Sequence, residues 1–226
     1  DKSTFFKSTN IEHVKPMFSM CWCPMLAAFS MNLEVSLDHE KDVYSLCLEG
    51  FRSAVRVSSI FYMETERDAF ITSLSQFTLL TNLREMKLKN IDAIKCLIQI
   101  AHEDGNFLQG SWTQVLKCIS QLAKIQILGS SMRHTEHVPT TRPAPKSLSE
   151  TKLAPLPQTN SLPHDGQSFE GLNASAVVDH IDLSEIDRIF SNTVNLNDNA
   201  IVEFVSCLCE ISLLEVSGVR GAVPRT

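Results

Sequence analysis

Apolar residues recur at steps of three and four along most of this chain, and that spacing restricts its fold more than any other property. Such spacing places apolar side chains on one face of an α-helix. The pattern is nearly unbroken from residue 14 to residue 29. Similar patterns occupy residues 43–61, 64–80, 86–101, 111–129, 177–190 and 200–214. Because sustained apolar–polar alternation beside a hairpin turn is missing, the sequence predicts an all-α protein.

The first five helices, joined by short connections, predict an antiparallel helical array of the armadillo or HEAT kind over residues 10–129. This interpretation depends on the spacing of the helices, since the sequence shows no repeated motif. Pro24 lies inside the first pattern and removes a backbone donor, so a kink or a restart is expected there. Gly105 is expected to end the fourth helix, and Ser111 to cap the fifth.

The chain changes character after residue 129. Six of its nine prolines fall within residues 130–175, together with many Ser and Thr, which predicts a long disordered insert. Residues 176–216 carry eight acidic side chains and one basic side chain, Arg188, and predict an acidic helical pair. The final residues, 217–226, match no pattern that continues this pair. Because the sequence begins at Asp1, it is interpreted as a piece of a larger protein.

Composition excludes several classes of function. A formal net charge of −6 and a pI near 5.6 disfavour nucleic acid as a partner, since its phosphates would be repelled. No stretch reaches the roughly 18 apolar residues of a membrane span, and the start of the chain lacks the layout of a signal peptide. A protein of the cytoplasm is therefore expected.

The spacing of the cysteines and glycines predicts neither a catalytic site nor a metal site. The seven cysteines fall mostly within apolar helical patterns, as buried reduced thiols do. The pairs Cys21–Cys23 and Cys207–Cys209 lack the spacing of a zinc site, because residues two apart point about 200° apart on a helix. Phosphate-binding glycine loops and nucleophile elbows are also missing. We therefore expect no catalytic residue, cofactor or metal ion.

Six residues are candidates for partner binding. Asp104, Asn106 and Trp112 lie in a connection with two glycines, which permit positive φ. That connection is either a structural corner, with Trp112 clamping the turn, or a binding loop. The other candidates are arginines suited to an acidic partner, unless they are solvated or paired with Glu49 and Glu66; they are Arg52, Arg56 and Arg67.

Several long runs of this sequence are specific enough to indicate a family. They include Lys15-Pro16-Met17-Phe18, Glu49-Gly50-Phe51-Arg52, Glu66-Arg67-Asp68-Ala69-Phe70, Leu116-Lys117-Cys118-Ile119 and Asn199-Ala200-Ile201-Val202. These runs resemble the large brefeldin-A-inhibited ARF exchange factors of the trans-Golgi. The resemblance covers about residues 11–128 and 186–215, and it is to the first homology block downstream of the Sec-seven exchange domain.

The resemblance implies a regulatory and non-catalytic role. In that family the exchange reaction belongs to the Sec-seven domain, so no catalytic residue carries over to this chain. Regions similar to this one bind GTP-loaded ARF at the membrane, which brings the exchange domain back to its own product. The expected partners are thus an ARF-type small GTPase and other regions of the same exchange factor, at Golgi and trans-Golgi membranes.

Two alternatives of another class stay open. One is a module that binds a lipid surface, which needs a basic amphipathic helix. The nearest candidates for such a helix are Arg84, Lys87, Lys89 and Lys95, although residues 10–128 as a whole are not basic. The other is a structural spacer that keeps the exchange domain in position.

Overall fold

The structure, a computed structural model, describes residues 11–36, 40–135 and 165–220. For residues 128–135, 165–172 and 218–220 it describes the backbone alone. None of these residues forms a strand, and the all-α array expected from periodicity is confirmed. The helices are α1 (Ile11–Val35), α2 (Lys41–Ile60), α3 (Glu64–Gln76), α4 (Leu88–Asp104), α5 (Trp112–Thr135), α6 (Asp165–His180), α7 (Leu183–Ser191) and α8 (Asp198–Arg220).

Helix α1 is continuous through Pro24, so the restart considered from the sequence does not occur. Pro24 is exposed, and so is Met20, whose carbonyl loses its helical donor at this proline. Water can satisfy that carbonyl on the outer face. The inner face of α1 lies against α2 and α3.

An aromatic cluster joins the first three helices. The ring of Phe70, on α3, is fully buried and meets Phe51 of α2 nearly edge-on at 6.0 Å. Phe18, Trp22 and Phe29 of α1 pack on the same ring at centroid distances of 6.3, 6.5 and 6.4 Å. Side chains at steps of three and four thus meet in the core, as the pattern predicts.

The α3–α4 connection departs from the sequence expectation. Helix α3 ends at Gln76, whereas the periodicity extended it to residue 80. Leu79 takes a left-handed conformation with φ 48°, which no helix can continue. The Asn90 amide then donates to Phe77 O at 2.8 Å and ties the end of α3 to the start of α4.

The acidic helices pack onto the array and extend its core. Residues 177–190 were predicted as one helix, but the chain breaks at Ile181 and Asp182. Ile181 is buried there, and Asp182 caps α7 by accepting a hydrogen bond from Ser184 N at 2.9 Å. Helix α6 lies against α5, α7 against α4, and α8 against α5.

The helices reach into both flanks of the insert predicted at residues 130–175. Helix α5 continues to Thr135, and α6 begins at Asp165. The rest of that insert, residues 136–164, lies outside the described residues. Helix α8 extends to Arg220, so it includes the start of the unmatched tail; residues 221–226 also lie outside the described part.

Candidate partner-binding surface

Trp112 anchors the α4–α5 corner from inside. Its side chain is buried, and its indole Nε1 donates to Gly105 O at 3.2 Å. The indole ring meets Phe204 of α8 edge-on at 4.9 Å. The sequence left two interpretations of this connection open, a structural corner and a binding loop. The position of Trp112 favours the structural corner, because a buried side chain offers no contact surface to a partner.

The glycines of this corner do not have the positive φ that their presence suggested. None of the described glycines has positive φ; Gln109 does instead, at 46°. Gly105 has φ −50° and is needed for close approach. A Cβ at Gly105 would lie 3.2 Å from both Leu196 Cδ2 and Trp112 Cζ2. Ser111, expected as a cap, donates its hydroxyl to Asp68 Oδ1 at 2.5 Å.

Arg67 is a structural side chain of the same corner. It is only 3% exposed and pairs with Asp68 at 2.8 Å, not with Glu66. Its guanidinium also donates to Phe107 O at 2.6 Å and to Gln109 Oε1 at 3.1 Å. These bonds fasten the corner to the first turn of α3, so the charge of Arg67 is neutralised from within.

Asp104 is fully buried at the end of α4. Burial raises the pKa of its carboxyl, and the neighbouring Arg56 opposes that rise. One carboxylate oxygen pairs with Arg56, while Oδ2 has no partner among the described residues. Asn106 is exposed, and its Oδ1 accepts a hydrogen bond from Asn197 N at 2.8 Å.

Two of the six candidates present charge to solvent. Arg52 and Arg56 lie one turn apart on α2, with side chains 40% and 50% exposed. Arg52 pairs with Glu103 at 3.6 Å, not with Glu49. Since both lie beside the exposed edge of α4, these arginines form the accessible part of the candidate site, together with Asn106.

The basic helix considered for lipid binding does not form as a single surface. Lys89 is buried, and its ammonium donates to the carbonyl oxygens of Leu33, Glu34 and Ser36 at 2.7, 2.7 and 2.8 Å. It therefore satisfies the free carbonyls at the end of α1. Lys95 is 47% exposed but pairs with Asp92.

Helices α1 and α8 carry exposed apolar faces that the sequence analysis missed. On α8 the buried face includes Phe204, Cys207 and Ile211. Other positions on that helix are also apolar but exposed: Ile201, Val202, Val205, Leu213, Leu214 and Val216. On α1 the exposed residues include Met17, Met20 and Met31. A second apolar stripe could have been found by plotting each helix around its axis.

The described residues contain no group of His, Cys, Asp and Glu able to hold a metal ion. Cys21, Cys23 and Cys209 are exposed, whereas Cys47, Cys96, Cys118 and Cys207 are buried. Burial raises the pKa of the Cys96 and Cys118 thiols to about 12. Within the described part, no helix is both long and apolar enough to cross a membrane.

No family model matches this chain, but curated proteins do. Brefeldin A-inhibited guanine nucleotide-exchange protein 1 of Mus musculus is 41% identical over 225 residues, which are 95% of this chain and 12% of that protein. This chain matches one segment of the brefeldin A-inhibited exchange proteins. The family resemblance noted from the sequence is therefore confirmed.

Relatives of this family extend beyond animals. Brefeldin A-inhibited guanine nucleotide-exchange protein 3 of Arabidopsis thaliana is 32% identical over 248 residues, covering 95% of this chain and 14% of the relative. The ADP-ribosylation factor guanine nucleotide-exchange factor sec71 of Schizosaccharomyces pombe is 36% identical over 225 residues, covering 94% and 12%. The chain thus spans about an eighth of the length of these exchange proteins.

Proposed function

We propose that this chain is a non-catalytic regulatory segment of an ARF guanine nucleotide-exchange factor. Homology along nearly the whole chain to exchange proteins is the observation that supports this role. In this proposal the segment binds an ARF-type small GTPase in its GTP-loaded form, or other regions of its own exchange factor. It would thereby return the factor to Golgi and trans-Golgi membranes where its product is made.

The exposed edge formed by α2 and the end of α4 is the proposed contact surface for the GTPase. Arg52 and Arg56 supply cationic donors there, and their ion pairs with Glu103 and Asp104 limit the excess charge. Arg52 is the more available of the two, since its one ion pair is long and half-exposed. An acidic or carbonyl-rich partner surface would compete for that guanidinium.

A capture experiment tests the GTPase proposal. The full chain is immobilised and exposed to ARF loaded with a GTP analogue or with GDP, after circular dichroism has shown that it is folded. We expect preferential capture of the GTP form. Arg52→Glu should weaken that capture, whereas Lys124→Glu, at an exposed site on α5 that pairs with Glu215, should not. Equal capture of both forms, or none, would contradict the proposal.

A membrane-surface role is the second candidate, because the outer face of α1 is apolar and uncharged. No Asp, Glu, Lys or Arg occurs between Lys15 and Glu34, and Met20 on that face is 85% exposed. Flotation of the chain with neutral and with anionic liposomes distinguishes the two roles. Flotation that Met20→Glu abolishes would favour the membrane surface, and neither flotation nor capture would leave the role of a structural spacer.

A further inference from the structure

The outer side of helix α8 carries an apolar stripe that the described part of the array leaves exposed. The inner side of α8 packs on α5 and on the α4–α5 corner, with Phe204 near its centre. At about 100° per residue, the stripe lies roughly 170° around the helix axis from that buried side. The stripe consists of Val202, Val205, Cys209, Leu213 and Val216. Cys209 is exposed, and the other four side chains are between 49% and 67% exposed.

The spacing of this stripe is symmetric about Cys209. Successive members are three, four, four and three residues apart. A two-fold axis at Cys209 therefore places each apolar position of one α8 against an apolar position of a second, antiparallel α8. In that register Val202 faces Val216 of the partner copy, and Val205 faces the partner's Leu213. A two-fold contact needs such self-complementarity, because the same surface serves on both sides.

The charged ends of α8 follow the same symmetry. Asp198, in the first turn, and Arg220, the last residue of the helix, each lie eleven positions from Cys209. In the antiparallel register the acidic end of each helix meets the basic end of its partner, whereas a parallel register brings like charges together. Glu203 and Glu210 lie roughly 100–120° around the axis from the stripe, so the contact leaves their carboxylates in water.

A lipid surface fits this stripe less well than a second copy does. Helices that lie on membranes carry basic residues beside their apolar face. Residues 176–216 carry eight acidic side chains and one basic side chain, so an anionic membrane repels them. The stripe also contains no aromatic residue to anchor it at the level of the headgroups. Its valine and cysteine side chains are short, which lets two helix axes approach to about 8–10 Å.

We propose that two copies of this chain associate through their α8 helices, antiparallel and with Cys209 at the two-fold axis. One pair of helices, each about 35 Å long, gives a smaller contact than the roughly 1,600 Å² of a standard interface. The dimer is therefore weak and exchanges with monomer at micromolar concentrations. The contact uses no residue of the proposed GTPase surface. Where the GTPase proposal holds, a dimer carries two such surfaces, which prolongs its retention on a membrane that displays many ARF molecules.

The first experiment measures the mass of the full chain by sedimentation equilibrium, from low to high micromolar concentrations. We expect the average mass to rise with concentration from the 25.2 kDa of one chain towards twice that value. Val205→Glu places a carboxylate against the partner's Leu213 and should weaken association at least roughly tenfold. Met20→Glu is the matched control, because Met20 is an equally exposed apolar residue on α1. It should leave association unchanged.

Cross-linking tests the register of the two helices. The background is a chain with Cys21→Ser and Cys23→Ser, which removes the other exposed cysteines of the described residues. A short bismaleimide, which alkylates two thiols, should join two copies of this chain through Cys209. With Cys209→Ser added, Val205→Cys and Leu213→Cys chains should cross-link efficiently when mixed and only weakly when each is alone. A parallel pair would give the reverse result.

Charge reversal tests the pairing of the helix ends. Asp198→Lys and Arg220→Glu each place like charges opposite one another in the antiparallel dimer. Each single variant should weaken association about fivefold. The double variant restores opposite charges between the copies and should associate like the natural chain. Within one helix, by contrast, both reversals oppose the helix dipole, so a purely intrahelical role predicts that the double variant is worse than either single one.

Several results would overturn the dimer proposal. One is the mass of a single chain at every concentration, which is expected if a lipid surface or an unlike protein covers the stripe. Others are unchanged association of Val205→Glu, loss of association in Met20→Glu, or stronger cross-linking of the separate cysteine variants than of their mixture. Circular dichroism of each variant checks that the fold is kept. ARF capture plays no part in these measurements, so the dimer proposal and the GTPase proposal can fail separately.

Discussion

The half-exposed guanidinium of Arg56 is paired with the fully buried carboxylate of Asp104, and this pair joins the C-terminal part of α2 to the end of α4. The same guanidinium nitrogen of Arg56 donates to Glu103 O at 3.3 Å. Because Asp104 Oδ2 has no partner among the described residues, Arg56 is the principal compensation for burying this charge.

Removing Arg56 should therefore destabilise the fold more than removing its neighbour Arg52. We expect Arg56→Ala to lower the free energy of unfolding by about 1–3 kcal/mol, since it leaves a buried carboxylate without its donor. Arg52→Ala should cost less than about 1 kcal/mol, because the Arg52–Glu103 pair is exposed on both sides. Urea unfolding followed by circular dichroism measures both. Equal losses would show that Asp104 does not depend on Arg56.

Replacing Asp104 with Asn should change how stability depends on pH. Burial raises the native pKa of Asp104 above its unfolded value, so the native state holds this proton more tightly. The resulting stabilisation is complete below the unfolded pKa of about 4 and is lost as the pH rises through the native pKa. Relative to the natural chain, Asp104→Asn should become progressively more stable across that window. Urea unfolding at a series of pH values tests this, and a difference independent of pH would contradict it.

Lys89→Met should destabilise the packing of α1. The variant keeps a long side chain but removes the ammonium that donates to three carbonyls at the end of α1, of which Leu33 O keeps a second donor, the Ser36 hydroxyl. A loss of about 2–3 kcal/mol is expected in chemical unfolding. Lys95→Met, on the same helix, removes only an exposed pair with Asp92 and should be nearly neutral. A loss of equal size in the two variants would argue against a structural role for Lys89.

Substitution by alanine should change the stability of the fold differently at Gly50 and at Gly110. At Gly50 a Cβ would lie 2.7 Å from Phe29 Cζ, and that ring is held by Phe51 and Phe70, so Gly50→Ala should cost about 1–3 kcal/mol. At Gly110 a Cβ would meet nothing within 4 Å, and φ is not positive. Gly110→Ala should be neutral or stabilise by about 0.5 kcal/mol. Thermal unfolding of both variants is the measurement, and similar melting temperatures would be the contrary result.

Periodicity predicted the helices well because burial of one face determines most of them. On α2, for example, Cys47, Phe51 and Val55 are buried, although the apolar Val43 and Leu46 are exposed. It failed at the ends of helices. Ile181 fits the apolar spacing of a continuous helix, yet it is the buried residue at the break between α6 and α7. A spacing rule cannot distinguish a buried helical residue from a buried residue in a turn.

The candidate site was harder to predict because its partners are distant in the sequence. Arg52 and Arg56 have acidic partners about 50 positions away, and Arg67 donates to Phe107 and Gln109, which are 40 and 42 positions away. Local spacing ranks only neighbours on the same helix, whereas packing between helices decides these pairs.

The bonds from Lys89 to the end of α1 have a consequence for the order in which the protein folds. They connect residues 53 to 56 positions apart, whereas the main contacts of α1 are with α2 and α3. Helix α1 can form early in folding, but its last turn acquires these hydrogen bonds only after α4 has docked. Amide hydrogens around Leu33 should therefore gain protection from solvent exchange late in refolding, at the same time as those of α4. Protection at the end of α1 would then show when α4, which follows later in the sequence, has packed against it.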